Sequence, residues 1–316
     1  MKSKLVPLLL TAAWATPAWA CDLCSVYNLN AAEGSRNKGF SFSVAGQFTH
    51  FGTLQEDGHR VSNPTHQYLN SAISQAVPGY TFNDWASMQF NVPVIYRSFQ
   101  RPEGFALDRG TESGMGDVSW LANFTPVRLE HMHSTFNWNL FGGVKFPTGD
   151  SDRLKEEFNE VEVPGAPESG IHGHDLALGS GSYDGLVGTG IYGRYRRGFF
   201  NASVQYSIRS TGDFNYRYAN DLLWSAGPGV FLVLEESWTA ALQFVVSGED
   251  KGLDEFHGAK AADTGLTSVY VGPQLNVTWS DKLSAQVSVD LPVLLNNTSL
   301  QAVPDYRVRA AFTYRF

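Results

Sequence analysis

The chain has 316 residues, a formal charge of −8, 13% aromatic residues, 17% charged residues and 31 glycines. The negative balance argues against nucleic acid as a partner. No apolar run beyond the first twenty residues reaches the ~20 residues that a membrane-spanning helix needs. High glycine and aromatic content with few charges fits a barrel wall, whose strands are only half apolar and never sum to a hydropathy peak.

Residues 1–20 read as a secretory signal. Lys2 and Lys4 precede an apolar run over 5–15, and Ala18-Trp19-Ala20 forms a small-x-small cleavage site. Cleavage after Ala20 makes Cys21 the first mature residue. Cys21 and Cys24, the two cysteines of the chain, form a CxxC in a segment 21–38 expected in the periplasm. A local disulfide, a lipid on Cys21, thiol redox chemistry and soft-metal binding all remain open readings. A c-type haem is excluded, because Ser25 stands where its histidine would be.

From residue 40 onward, apolar and polar residues alternate in segments of about ten, the length that crosses an outer membrane at a steep tilt. The clean segments are 40–51, 86–99, 116–127, 134–146, 199–209, 238–247, 265–278, 283–294 and 305–316. In the first, Phe40, Phe42, Val44, Gly46 and Phe48 share one face, and Ser41, Ser43, Gln47 and Thr49 the other. Segments 67–81, 183–194 and 221–233 are interrupted by Pro78, Gly188, Gly190 and Pro228, which predicts bulges or close backbone approach.

The connectors alternate in length. Short links fall at 83–84, 127–133, 196–198, 234–237 and 280–282. Long ones are expected at 52–65, 100–114, 147–182, 210–219, 248–264 and 296–304. Short periplasmic turns and long extracellular loops are the outer-membrane pattern. In the turn at 131–133, His131-Met132-His133 offers imidazole and thioether donors that suit copper. With Cys21 and Cys24 it forms a candidate copper set on the periplasmic side; an ordinary solvated turn is the other reading. In the longest loop, His172-Gly173-His174-Asp175 reads as an exposed, flexible turn.

The last segment puts Tyr306, Val308, Ala310, Phe312, Tyr314 and Phe316 on one face and Arg307, Arg309 and Arg315 on the other. It resembles the closing strand of bacterial outer-membrane barrels, and that resemblance implies recognition of Phe316 by the barrel assembly machinery. The fold class expected is therefore all-β: a transmembrane antiparallel up-and-down barrel of about twelve strands over 39–316. Outer-membrane lipid is its surrounding partner. Arg97, Lys145, Arg209, Asp290, Arg307, Arg309 and Arg315 fall on the lumen face. There they either tune passage of a small solute or brace the wall as ion pairs. The 21–38 segment or the 147–182 loop is expected to fold in as a plug. No paired carboxylates or nucleophile motif point to an enzyme, and no resident cofactor is expected apart from the copper reading.

Lys145-Phe146-Pro147-Thr148-Gly149-Asp150, and then the run from His174 through Gly179-Ser180-Gly181-Ser182-Tyr183-Asp184 to Gly188, carry a further resemblance. They are similar to outer-membrane barrels grouped as transporters of the meta-pathway of phenol degradation. Their pattern is a strand ending in PTGD, a loop, and G-[ST]-G-[SA]-[WY]-D before the next strand. Physically, Pro147 and Gly149 end a strand and turn the chain, while Gly179, Gly181 and Asp184 let the loop return tightly to the wall. The resemblance implies passive diffusion of a small hydrophobic or aromatic solute. The CxxC departs from the family pattern. It supports the alternative of a structural barrel whose periplasmic CxxC and HMH engage a metal ion or a redox partner.

Overall fold

The computed structural model describes residues 38–158, 163–280 and 282–316. The stretch expected to be a signal segment, Cys21 and Cys24 lie outside the described residues. Twelve antiparallel strands form a closed barrel. They are β1 (Gly39–Glu56), β2 (Tyr68–Thr81), β3 (Ala86–Glu103), β4 (Ser119–His131), β5 (Ser134–Lys145) and β6 (Asp184–Tyr195). Then come β7 (Gly198–Ile208), β8 (Asp221–Leu234), β9 (Trp238–Lys251), β10 (Leu266–Trp279), β11 (Leu283–Asn297) and β12 (Leu300–Arg315). Each wall strand pairs with its neighbours in sequence, and β12 returns to pair with β1 from Ser41 opposite Arg315 to Glu56 opposite Leu300.

The period-2 alternation decides which side faces lipid. Val44, Val204, Leu242, Val287 and Phe312 point outward and are 40% to 48% exposed. Their inward neighbours Ser43, Gln205, Gln243, Ser288 and Thr313 are buried. Apolar side chains outside and amide or hydroxyl side chains inside is the arrangement of a barrel in a membrane, inverted from a soluble domain. At the rim with the short turns an aromatic girdle surrounds the wall. Phe40 packs edge-on against Tyr80 at 4.7 Å, Tyr80 against Phe82 at 5.0 Å, and Tyr314 against Phe316 at 5.0 Å. Trp85, Tyr195 and Trp279 stand exposed at the same rim, where amphipathic rings favour the lipid headgroups.

The other rim corrects several expected loops. Residues 94–103 of β3 continue beyond β4 and pair with an arm, Ala106–Met115, so most of the 100–114 link is a hairpin. The arm and β4 are one path broken at 116–118, where the Gly116 amide donates to the Pro93 carbonyl at 3.0 Å. The last link, expected at 296–304, is only the turn 298–299 between two extended strands. Of the three segments expected to be irregular, only β8 shifts register, between Phe231 and Val233. In β6 the glycine serves a close approach instead: a Cβ at Gly188 would run into the inward Phe141 ring.

The two faces should respond oppositely to charge. Val204→Lys is expected to cost about 2–4 kcal/mol, as for a cation on the lipid face near the midplane, and the adjacent lumen change Ser203→Lys much less. Urea unfolding of the barrel in phospholipid vesicles measures both. Equal costs would contradict the assignment of faces.

Candidate functional site

Uncharged polar side chains in the middle of the lumen hydrogen-bond to one another, within a strand and across neighbouring ones. Gln89 donates to Asn91 at 2.8 Å, and Asn91 to Gln75 at 2.9 Å. Gln243 donates to Asn201 at 2.5 Å, and Thr125 to Asn139 at 2.7 Å. Between them lies roughly 1210 Å³ of open space bordered by Gln47, Asn201, Gln205, Ser225, Gln274 and Gln286, and by Arg307 and Arg309. Phe141, with Leu121 and Leu186 packed behind it, adds an apolar surface to this wall.

Above this level sit the charged residues, and the structure pairs them. Lys145 lies 2.8 Å from both Asp117 and Asp184. Arg209 meets Asp184 at 2.7 Å and Asp221 at 3.0 Å. The ladder runs around β4–β8, and all its side chains are nearly excluded from solvent. Opposite, Arg307 meets Glu249 at 2.9 Å and lies over the Tyr270 ring at 4.2 Å from its centroid. Arg309 meets Asp290 at 2.6 Å. Arg315 is half-buried at the rim with the short turns, opposite Ser41. Arg97 is buried as well and donates from Nη1 to the carbonyls of Asp175 and Ala177.

Those carbonyls belong to the long loop, 146–183, which folds inward. Its two ends are stitched together where the sequence carries PTGD and GSGSYD. The Thr148 hydroxyl accepts from the Val118 amide at 2.8 Å and donates to the Gly116 carbonyl at 2.9 Å. The Asp117 carboxylate accepts from the amides of Gly149 at 3.0 Å and Ser180 at 2.9 Å. The amides of Leu178 and Gly179 donate to the Asp150 carbonyl at 2.9 and 2.8 Å. Gly149 and Gly179 cross in contact, and a Cβ on either would enter the other's backbone. Gly181 adopts φ +65° beside Asp213, a conformation L side chains rarely take.

From this base the loop crosses the mouth. A 3₁₀ helix, Asp152–Phe158, buries Leu154 against Ala177, Tyr216 and Tyr218. Ile171 and Leu176 pack on Phe51, Leu69 and Phe99 of the wall, and Leu178 on Ile73 and Ile95. Its far side hydrogen-bonds to β12, the Ala302 amide donating to the Gly170 carbonyl at 2.7 Å. Arg101 reaches Glu156 at 2.7 Å and Asp108 at 3.1 Å, and Arg153 pairs with Glu112 and Glu156.

The His172–Asp175 stretch is not an exposed turn. It caps and forms a short helix, Gly173–Leu176, and His174 is 4% exposed. His174 Nδ1 lies 3.0 Å from Glu157, and its Nε2 3.5 Å from Asp175. The ring stacks on His172 and on Tyr216 at 5.7 and 6.1 Å. His172 in turn lies 3.4 Å from Asp263. Burial acts to lower the His174 pKa. The Asp175, Glu157 and Asp263 carboxylates overcome it and hold the imidazole well above its usual value. Burial acts to raise Glu157, and His174 overcomes that, taking the carboxyl down to about 2. The turn His131-Met132-His133 is fully exposed, and among the described residues no three His, Cys, Asp or Glu groups converge as metal ligands.

Glu249, Lys251, Asp254 and Glu157 were not singled out from sequence. The first two continue the inward parity of Gln243, Val245 and Ser247 past Gly248, the signal that marks them as lumen residues. Lys251 pairs with Asp254 at 2.8 Å, which also accepts from the Tyr216 hydroxyl at 2.6 Å.

The fold recurs in solved structures. An outer-membrane channel from Pseudomonas putida F1 superposes with a TM-score of 0.63 at 14% identity, over 92% of this chain and 100% of that one. The β domain of the Bordetella autotransporter BrkA gives 0.45 at 8% identity, over 89% and 100%. No family model and no curated protein matches the chain.

Docking of the loop should follow pH with two limbs. The Glu157 contribution is present above its ordinary 4.5 and is lost as pH falls toward 2. The His174 contribution is complete below 6.5 and is lost as pH rises through its elevated value. Hydrogen exchange of 170–178 should therefore be slowest between those two ordinary values. His174→Gln should remove the alkaline limb and, because His174 is what holds Glu157 down, weaken the acid limb as well; an unchanged alkaline limb in that variant would contradict the assignment.

Proposed function

We propose that this barrel sits in the outer membrane and passes a small solute by passive diffusion, with the inward loop 146–183 as its constriction. The observation that carries this reading is the pair of layers inside the wall. Roughly 1210 Å³ of open lumen space, bordered by amide and hydroxyl side chains together with Arg307 and Arg309, lies below a loop fastened by buried ion pairs. A wall built only as a scaffold has no need of a polar interior with open space. Side chains of this kind wet a pore without binding ions tightly. Twelve strands enclose a bore between a filled eight-strand barrel and a wide porin, so the solute is small.

The charged residues have a bracing role here. Lys145, Arg209, Arg307 and Arg309 are each neutralised by a carboxylate, and removal of one partner from the buried pairs of Lys145, Arg209 and Arg307 costs about 3–5 kcal/mol. Lys145 and Arg209 act on passage through the position of the loop, while Arg307 and Arg309 also border the lumen space. The resemblance of the PTGD and GSGSYD stretches to transporters of the phenol meta-pathway supports a hydrophobic or aromatic solute. The patch of Leu121, Phe141 and Leu186 on the lumen wall fits such a compound.

Liposome swelling with purified protein tests the channel reading. Arabinose is expected to enter faster than into protein-free vesicles, and stachyose no faster. Gly179→Val, which displaces the loop from its base, is expected to raise the arabinose rate. No swelling with any solute, in native protein and in the Gly179→Val variant, would sink the proposal.

A further inference from the structure

A second cavity lies higher, between the inward loop and the wall formed by β10, β12 and β1–β3. The space between atoms there is about 700 Å³, counting what is open to solvent. Its charged lining is Arg97, Asp175, Glu249, Lys251 and Arg307, with His174 at the loop side. Most of these charges cancel. Arg307 pairs with Glu249, Lys251 with Asp254, and Asp175 shares the His174 ring with Glu157.

Arg97 is different. It is 2% exposed, and among the described residues no carboxylate lies within 4 Å of its guanidinium. Its Nη1 is spent on two loop carbonyls. Its Nε has no hydrogen-bond partner among the described residues, and neither does the hydroxyl of Ser71, which is 1% exposed. Ser71 and Arg97 are not scattered. They face each other directly across the β2–β3 register, on the lumen side, and both line this cavity. Two idle buried donors at adjacent positions are costly in a folded protein unless something accepts from them.

We infer that this cavity binds a small organic monoanion, with Arg97 as its counter-charge and Ser71 as a second donor. The inference rests on the channel reading for its purpose, since a site beneath the loop would select among entering solutes. The guanidinium sets the class. With no carboxylate within 4 Å of it among the described residues, it suits one negative charge; a phosphate dianion would leave excess charge buried, and an amine would meet repulsion. The opposite lining sets the rest of the molecule. Phe51, Leu69, Ile171, Leu266 and Pro304 offer an apolar surface, so a short monocarboxylate with a hydrocarbon body is the fitting ligand. A charge-assisted, forked contact from a guanidinium is the strongest hydrogen bond this site could offer.

The test is isothermal titration calorimetry of the full barrel in detergent, against a protein-free micelle blank. The probes are hexanoate, 1-hexanol and hexylammonium, at neutral pH. Saturable hexanoate binding is expected, with hexanol and hexylammonium at least about tenfold weaker. Arg97→Gln should lose hexanoate binding. Because Arg97 also holds the loop, Ser71→Asp is the second variant: it supplies a carboxylate opposite the guanidinium, keeps the cation paired, and should abolish hexanoate binding in a folded barrel. Arg128→Gln, near the far end of β4 and outside the cavity lining, should bind as the native protein does. Absence of hexanoate binding, equal binding of hexanoate and hexanol, or native binding by Ser71→Asp would each overturn the site. Arabinose swelling without hexanoate binding would remove this inference alone; hexanoate binding without any swelling would remove the channel reading and leave the site.

Discussion

Closure of β12 onto β1 is the constraint on which everything else rests. In hydrocarbon a backbone amide or carbonyl has no water to turn to, so a sheet survives there only when its two edges meet. The registered pairing from Ser41–Arg315 to Glu56–Leu300 supplies that seam. It also fixes parity. Once Arg307 and Arg309 point inward, every neighbouring strand must present its own inward set at the same level, and the charges come within reach of one another. Asp290 lies opposite Arg307 in the pairing yet bonds Arg309, while Arg307 crosses to Glu249. The lumen wall is thus an interlocked set, not a row of independent side chains.

The long loop turns inward because its base is worked into that wall. Asp117 stands at the break between the arm and β4, where the strand path is interrupted and a carboxylate can face both the loop and Lys145. It accepts from Gly149, Ser180 and Lys145 together. A loop held this way cannot swing out without exposing Lys145 and Asp184. The apolar side chains of the loop then find buried partners inside the mouth, which an outward loop would have left in water. A Cβ at Gly149 or Gly179 would break the crossing, and this gives the two short motifs a structural purpose that does not depend on any solute.

Much of this was legible in the chain. Period-2 alternation is a local signal, so nearly all twelve strands and both faces follow from it. What a single sequence hides is pairing across the barrel. Lys145, Asp184 and Arg209 are visible as polar residues at strand ends, but their meeting depends on the β5–β6–β7 register. Glu249 and Lys251 were lost because Gly248 reads as the end of a strand. In the fold it is the place where Trp224 lies across the sheet, and the strand continues. His174 was misjudged for a similar reason. A polar histidine-rich loop looks solvated until the long-range contacts that bury it are known. The long links at 100–114 and 296–304 failed because extended strands rising past the membrane carry polar residues on both faces and lose the alternation.

The central claim is that the loop, not the wall, sets the bore. Single-channel conductance in planar bilayers tests it, comparing the native barrel with a chain lacking 152–176. The ends of that deletion lie side by side, since the Leu178 amide donates to the Asp150 carbonyl at 2.9 Å. The account predicts a several-fold larger, steadier conductance without the loop. Equal conductance in the two proteins would contradict it.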